Sequence, residues 1–212
     1  INLDPARLTI LLHQMVVLRR GAEIVTMSKR QGNIIALADV IDEVGRDACR
    51  FFFLTRSADS QMDFDLELAK REAAENPVYY VQYSHARTSS ILQMATARGI
   101  ASPTADDAAP YTHAGEIALV RFLIHYPQIV ADAAADLEPH RLTFAAQELA
   151  SLFNAFYRDC RVLPSDHVPL DTVTVRSRLL LVAATRAVLA HLLGLIGVSA
   201  PDRMDRPEEA AE

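Results

Sequence analysis

From residue 77 onward, apolar residues recur three and four positions apart through four long stretches. With that spacing, a helix is the regular structure that gathers them on one face. The first stretch, 77–98, aligns Val78, Val81, His85, Thr88, Leu92 and Ala95. The second, 115–137, contains Pro127, which is expected to kink the helix or start a new one. The third, 141–163, carries Leu142, Ala145, Leu149, Leu152, Phe156 and Leu163 as a stripe. The fourth, 172–193, stops at Gly194, ahead of Gly197 and Pro201. Segments 99–110 and 163–170 have loop composition, and the polar tail 202–212 is expected to fray.

Ahead of this bundle the pattern is mixed. Residues 8–19 are apolar, Arg20-Gly21 reads as a turn, and Glu23-Ile24-Val25 as a short strand. Two short amphipathic helices follow at 37–44, ended by Gly45, and at 47–54, where Phe51, Phe52 and Phe53 are too apolar to face water entirely. Residues 55–64 read as a connecting loop and 66–75 as helical, until Asn76-Pro77 breaks or re-caps the chain. The expectation is a mainly α protein, a helical bundle preceded by a remnant of something α/β, with no internal repeat. Its parts divide at 1–35, 36–76 and 77–212. Ile1-Asn2-Leu3 opens without an initiator Met and runs straight into apolar sequence, so a piece of a longer protein is expected.

With 212 residues, half of them apolar, the chain can build its cores without disulfides or metals. Cys49 and Cys160 lie inside apolar helical patterns and read as buried, reduced thiols of a cytoplasmic protein. No apolar run approaches the roughly 20 residues that span a bilayer, so no membrane is expected as a partner. His85, His140 and His167 share no metal-ligand spacing with Cys or acidic residues. The net charge of -6 argues against coating nucleic acid by charge alone. The charge is uneven, however. Residues 39–75 hold ten acids against five bases, whereas 141–186 hold six arginines against four acids, so the later segment suits a phosphate backbone better.

Met27-Ser28-Lys29-Arg30, followed by Gln31-Gly32-Asn33, offers a lysine, a hydroxyl and free backbone N–H groups on a loop. Such a loop can close over a triphosphate, where a well-placed cation lowers a transfer barrier by about 3 kcal/mol. An ordinary solvated basic loop has the same composition. The loop resembles the second signature of class I aminoacyl-tRNA synthetases, Lys-Met-Ser-Lys-Ser, with Thr26 for the first Lys and Arg30 for the last Ser. The run Leu18-Arg19-Arg20-Gly21-Ala22-Glu23-Ile24-Val25 is similar to the entry into this loop in arginyl-tRNA synthetases. So are Leu37-Ala38-Asp39-Val40-Ile41-Asp42-Glu43-Val44-Gly45, Asp47-Ala48-Cys49-Arg50-Phe51-Phe52-Phe53-Leu54 and Glu75-Asn76-Pro77-Val78-Tyr79-Tyr80-Val81-Gln82-Tyr83-Ser84-His85-Ala86-Arg87. The close, Ser199-Ala200-Pro201-Asp202-Arg203-Met204, resembles that family's carboxy terminus, although eight residues continue beyond it.

The resemblance implies a helical anticodon-binding domain joined to the end of a catalytic domain. It also implies ATP-dependent charging of tRNA(Arg) with arginine through an arginyl-adenylate, ATP being used with Mg2+. Lys29 would be catalytic, and Met27, Ser28, Lys29 and Arg30 would bind ATP. The family's other signature, His-x-Gly-His, lies upstream of the loop and is not in these 212 residues. His113-Ala114-Gly115-Glu116 imitates half of it, but after the loop and with Glu for the second His. Without the upstream half the chain is expected to need no cofactor, charge no tRNA and act as a monomer; arginine and ATP would be partners only with that half.

Tyr157 and Arg161 are four apart in the third long stretch and would share a helical face. A ring beside a guanidinium suits unstacked RNA bases, though a core-edge tyrosine and a surface arginine fit the same spacing. The resemblance places Tyr157, Arg161 and Met204 against the anticodon loop. In Tyr79-Tyr80-Val81-Gln82-Tyr83, three tyrosines cannot share one face; the cluster reads as core packing at a helix start or as RNA contact by Gln82 or Tyr83. Arg176 and Arg178 read as general phosphate attraction or as having no role. A cysteine-type class I synthetase is the alternative within the same class, disfavoured by segment 76–87 and the Arg203-Met204 ending. A helical protein-interaction module without an RNA role is the alternative from another class.

Overall fold

The computed structural model describes residues 8–25, 35–165, 167 and 169–204. Met27, Ser28, Lys29 and Arg30, expected to bind ATP, lie outside the described residues. The α/β part is a three-stranded sheet in the order β2-β1-β3. β1 (Val16–Arg20) passes through Gly21, whose φ of 63° favours glycine, into the antiparallel β2 (Glu23–Ile24). β3 (Met62–Asp65) runs parallel to β1, with Val16 opposite Met62 and Arg19 opposite Asp65. Parallel neighbours need a crossover rather than a tight turn. Here α1 (Leu37–Val44) and α2 (Arg46–Phe53) lie on that crossover.

β3 corrects the expectation of a loop through residue 64. Ser57, Asp59 and Ser60 do form loop, but Met62 and Phe64 alternate inward with Asp63 outward, the two-residue period of a strand. Phe64 is fully buried and meets Phe52 edge-on at 5.6 Å and Phe53 face-to-face at 5.2 Å. The partner strand lies over forty residues upstream, so no local signal announces the pairing.

α3 (Leu66–Lys70) is also shorter than the helical composition of 66–75 suggests. Asn76 explains the stop. Its side-chain amide donates to the carbonyls of Ala69 (3.0 Å) and Arg71 (2.8 Å), drawing off acceptors that further helical turns would use. Its oxygen meanwhile accepts from Val78 N and caps the next helix, α4 (Pro77–Ala97), with Pro77 in the first turn.

The bundle is completed by α5 (Ala114–Ala135), α6 (His140–Asp159) and α7 (Thr172–Leu195). Leu119, Leu149, Phe153, Phe156, Leu179, Leu189, Leu192 and Leu193 are fully buried between them. Pro127 neither ends nor restarts α5: the helix continues through it, at a cost of about 3 kcal/mol that packing on α6 and α7 offsets. His113-Ala114-Gly115-Glu116 acts as a cap for α5. His113 Nδ1 accepts from Gly115 N, and the Glu116 carboxylate accepts from the backbone N–H groups of Thr112 and His113. Gly194 lies inside α7; the left-handed residue that ends it is Gly197 (φ 70°), where a Cβ would collide with the Arg50 guanidinium. Arg50 Nε donates to Ile196 O, placing a cation at the carboxy end of α7. α5 and α7 are each long and apolar enough to cross a bilayer, against the expectation that no run is; in this fold α7 buries part of that apolar surface in the bundle core.

Candidate nucleic-acid interface

Residues 83 and 87 are one helical turn apart on α4, and both point toward the end of α6. The Arg87 guanidinium carbon lies 4.8 Å from the centre of the Tyr83 ring and 5.5 Å from that of Tyr157. Hydrogen bonds fix it further: Arg87 donates to Asn154 Oδ1 at 2.7 Å and to the Tyr83 hydroxyl at 3.4 Å, while Asn154 Nδ2 donates to Ser84 Oγ at 3.0 Å. Tyr79 stacks on Tyr83 at 6.2 Å and Phe153 on Tyr157 at 6.1 Å. The result is a rigid ladder, Tyr79–Tyr83–Arg87–Tyr157–Phe153, rooted in the core through the fully buried Phe153. Tyr157 keeps 38 % of its surface exposed.

That exposed part of Tyr157 borders an open cleft of about 580 Å³ lined by Ile91, Met94, Arg98, Arg158, Arg161 and Leu163, among others. Among the described residues that line it, three arginines against the carboxylate of Asp159 make the cleft cationic on an acidic protein. Arg158 pairs with Asp159, and Arg98 donates to Pro164 O. Arg161 uses Nε on Leu163 O at 3.1 Å, which leaves the fork of its guanidinium for the cleft.

Tyr157 and Arg161 do not share a helical face, which corrects the expectation of one helix over 141–163. α6 ends at Asp159, and Cys160 is extended (φ -118°, ψ 112°). In extended chain, side chains alternate: Cys160 and Val162 are both 2 % exposed, so Arg161 between them faces out. The two residues meet at the cleft because the helix stops.

Gln82 is engaged elsewhere. Its amide donates to Asp47 Oδ2, Ser199 O and Ser199 Oγ, each at 3.0 Å, tying α4 to α2 and to the closing segment 198–204. That segment is held further by His85 Nδ1 on Pro201 O and by Asp202, which accepts from Ser89 Oγ and Arg186 (each 2.8 Å). Positions 85 and 89 are two residues from 83 and 87, roughly 200° around the helix. The closing segment therefore lies on another face of α4 from the tyrosine ladder, and the half-buried Met204 is not among the residues lining the Tyr157 cleft. The structure thus joins Tyr83, Tyr157 and Arg161, and sets Gln82 and Met204 apart. The sequence reading missed Arg87, whose spacing of four from Tyr83 on a helix was the available signal. It also left Arg176 and Arg178 without partners, whereas they pair with Asp107 and Glu116; the Arg176 bond holds Asp107 down to a pKa of about 2. Both cysteines are buried thiols whose pKa burial raises.

The pattern described for the DALR anticodon-binding domain matches residues 81–204. An arginine–tRNA ligase from Dehalococcoides mccartyi is 53% identical over 204 residues, covering 96% of this chain and 36% of that protein. Among solved structures, a Campylobacter jejuni protein assigned as an arginyl-tRNA synthetase superposes with a TM-score of 0.79 at 27% identity, over 95% of this chain and 42% of that one. Thermus thermophilus arginyl-tRNA synthetase superposes with a TM-score of 0.60 at 28% identity, over 83% of this chain and 29% of its own. This chain thus spans about 36% of the length of the curated relatives it matches.

Proposed function

We propose, from the premise that this chain belongs to the DALR anticodon-binding domain family, that it is the anticodon-reading part of an arginine–tRNA ligase. The single observation that carries the reading is Tyr157: a ring held between Phe153 and Arg87 that still keeps 38 % of its surface exposed at the rim of a cationic cleft. Anticodon-loop bases are unstacked, and a base that rests on a fixed aromatic face sacrifices little protein entropy. Arg161 extends a cation to the phosphate backbone of that loop, and Met94 and Ile91 supply an apolar floor. Tyr83 supports the ladder and borders the bound loop. Met204, at the end of a segment tied to α4 and α7, reaches the loop from a separate face. Gln82 serves by holding that segment through Ser199.

In the whole ligase, the loop containing Met27, Ser28, Lys29 and Arg30 binds ATP, supplied with Mg2+, and Lys29 neutralises charge as arginine is adenylated. The 53% identity to an arginine–tRNA ligase across 96% of the chain supports this specificity over a cysteine-type enzyme. The division at 1–35, 36–76 and 77–212 separates the end of the catalytic domain, the connecting helices and the anticodon domain. On this reading the protein works in the cytoplasm as a monomer, and these 212 residues alone charge no tRNA.

The test is direct binding of the chain to tRNA with an arginine anticodon and to the same tRNA with substituted anticodon bases. Discrimination between them is expected; equal, weak binding to every RNA would instead fit a helical protein-interaction module.

A further inference from the structure

We infer that Glu116 and Arg178, a buried ion pair outside the cleft, are the positioning residues that hold Arg161 out toward RNA. The inference rests on the anticodon reading above and names a part of the site that the family resemblance did not supply.

The geometry runs from core to surface. Glu116 is 5% exposed, and its carboxylate is saturated: one oxygen receives Arg178 Nε at 2.7 Å, the other the backbone N–H groups of Thr112 (3.2 Å) and His113 (3.1 Å). Burial pushes the Glu116 carboxyl up, but the Arg178 guanidinium and those backbone bonds outweigh it and hold the group below its usual range, so it remains an anion. Arg178 is thereby fixed between α5 and α7. A second arm, Nη1, crosses to the carbonyl of Arg161 at 2.7 Å.

That bond falls where Arg161 needs support. Past the end of α6, the peptide between Arg161 and Val162 has no helical partners, so without another partner the Arg161 carbonyl would be free to rotate. The bond to Arg178 fixes that peptide plane, the buried Cys160 and Val162 on either side fix its alternation, and the Arg161 side chain is left to emerge at the cleft. Arg178 does not itself reach for RNA: its side chain is only 16% exposed and its charge is matched by Glu116, so it offers little to a phosphate directly.

The experiment measures affinity of the chain for tRNA with an arginine anticodon, as a function of salt, for wild type, Arg161→Ala, Arg178→Met, Arg178→Lys and the double variant Arg161→Ala/Arg178→Met. Arg161→Ala is expected to weaken binding about tenfold and to flatten the salt dependence by about one released ion. Arg178→Met should reproduce most of both changes and add almost nothing on top of Arg161→Ala, since it acts through that residue. Arg178→Lys keeps the charge beside Glu116 and hence the fold, but one ammonium cannot serve carboxylate and carbonyl with a fork's geometry. It should shift affinity and salt slope in the same direction. Additive losses in the double variant, or a wild-type salt slope and affinity in folded Arg178→Lys alongside a defective Arg161→Ala, would overturn the positioning role while leaving the anticodon reading intact. If Arg161→Ala itself binds like wild type, the assignment of Arg161 to RNA fails, and this inference fails with it.

Discussion

Arg87 shows how one side chain can set the behaviour of another. A guanidinium lying over two rings and bonded to Asn154 leaves Tyr157 few ways to move, so the ring is ready before any base arrives. Removing the ring removes the platform: Tyr157→Ala should weaken binding of the arginine-anticodon tRNA by about 1–3 kcal/mol. Because Tyr157 is partly exposed but stacks on Phe153, the thermal midpoint of the variant should fall by only a few degrees while the fold persists; a titration paired with a melting curve checks both. Arg87→Met should leave Tyr157 in place but loosen it, with a smaller loss of affinity that appears mainly as faster dissociation.

At the scale of elements, most boundaries were legible in the sequence where caps and period agreed. α1, α4 and α7 begin where the pattern put them, and the side chains of Asn76 and Asp171 cap the latter two locally. The misplaced boundaries are those set by distant partners. β3 depends on β1, and the end of α3 depends on an asparagine that reaches back seven residues. The stripe over 141–163 counts Leu163 as helical because it stands seven residues, two helical turns, after Phe156, whereas the chain leaves the helix at Cys160. Asn76 is accordingly a residue whose loss exceeds a simple cap. Asn76→Ala forfeits the cap, about 1 kcal/mol, and strands two carbonyl partners of a 3% exposed side chain, so about 2–3 kcal/mol in total is expected from urea unfolding.

Across the whole molecule, charge is arranged in pairs rather than spread. Arg20 and Lys70 bridge Glu43 and Glu67 between the sheet and the first helices, and Arg176 holds Asp107 against α7. Hydrogen bonds from Arg20 and then Lys70 bring Glu43 down to a pKa of about 2, and Arg176 does the same for Asp107. A carboxylate depressed on folding stabilises the fold above its unfolded pKa and loses that contribution as protons are added down to its folded one. His85 adds an earlier step: burial lowers its pKa from 6.5, so the unfolded chain takes up the proton first and stability begins to fall below that pH. Denaturant midpoints should therefore be level between about pH 7 and 8, decline gently below about 6.5, and drop steeply from about pH 5 toward 2. His85→Gln should flatten the upper part of that curve and leave the lower part unchanged.

By itself the sequence determined the helical bundle, the Asn76 cap at its first helix, the buried cysteines and the aromatic residues on which an RNA reading could stand. Those features follow from near neighbours, where a period of 3.6 and a capping side chain act within a few residues. Tertiary structure decided which of those residues meet. It stopped α6 before Arg161, placed Arg87 between two tyrosines, turned Gln82 away to Ser199, and routed a buried glutamate's influence through Arg178 to the cleft. Apart from Arg87 on Tyr83, these contacts join residues from different elements, and a one-dimensional pattern carries no information about which helix will lie against which.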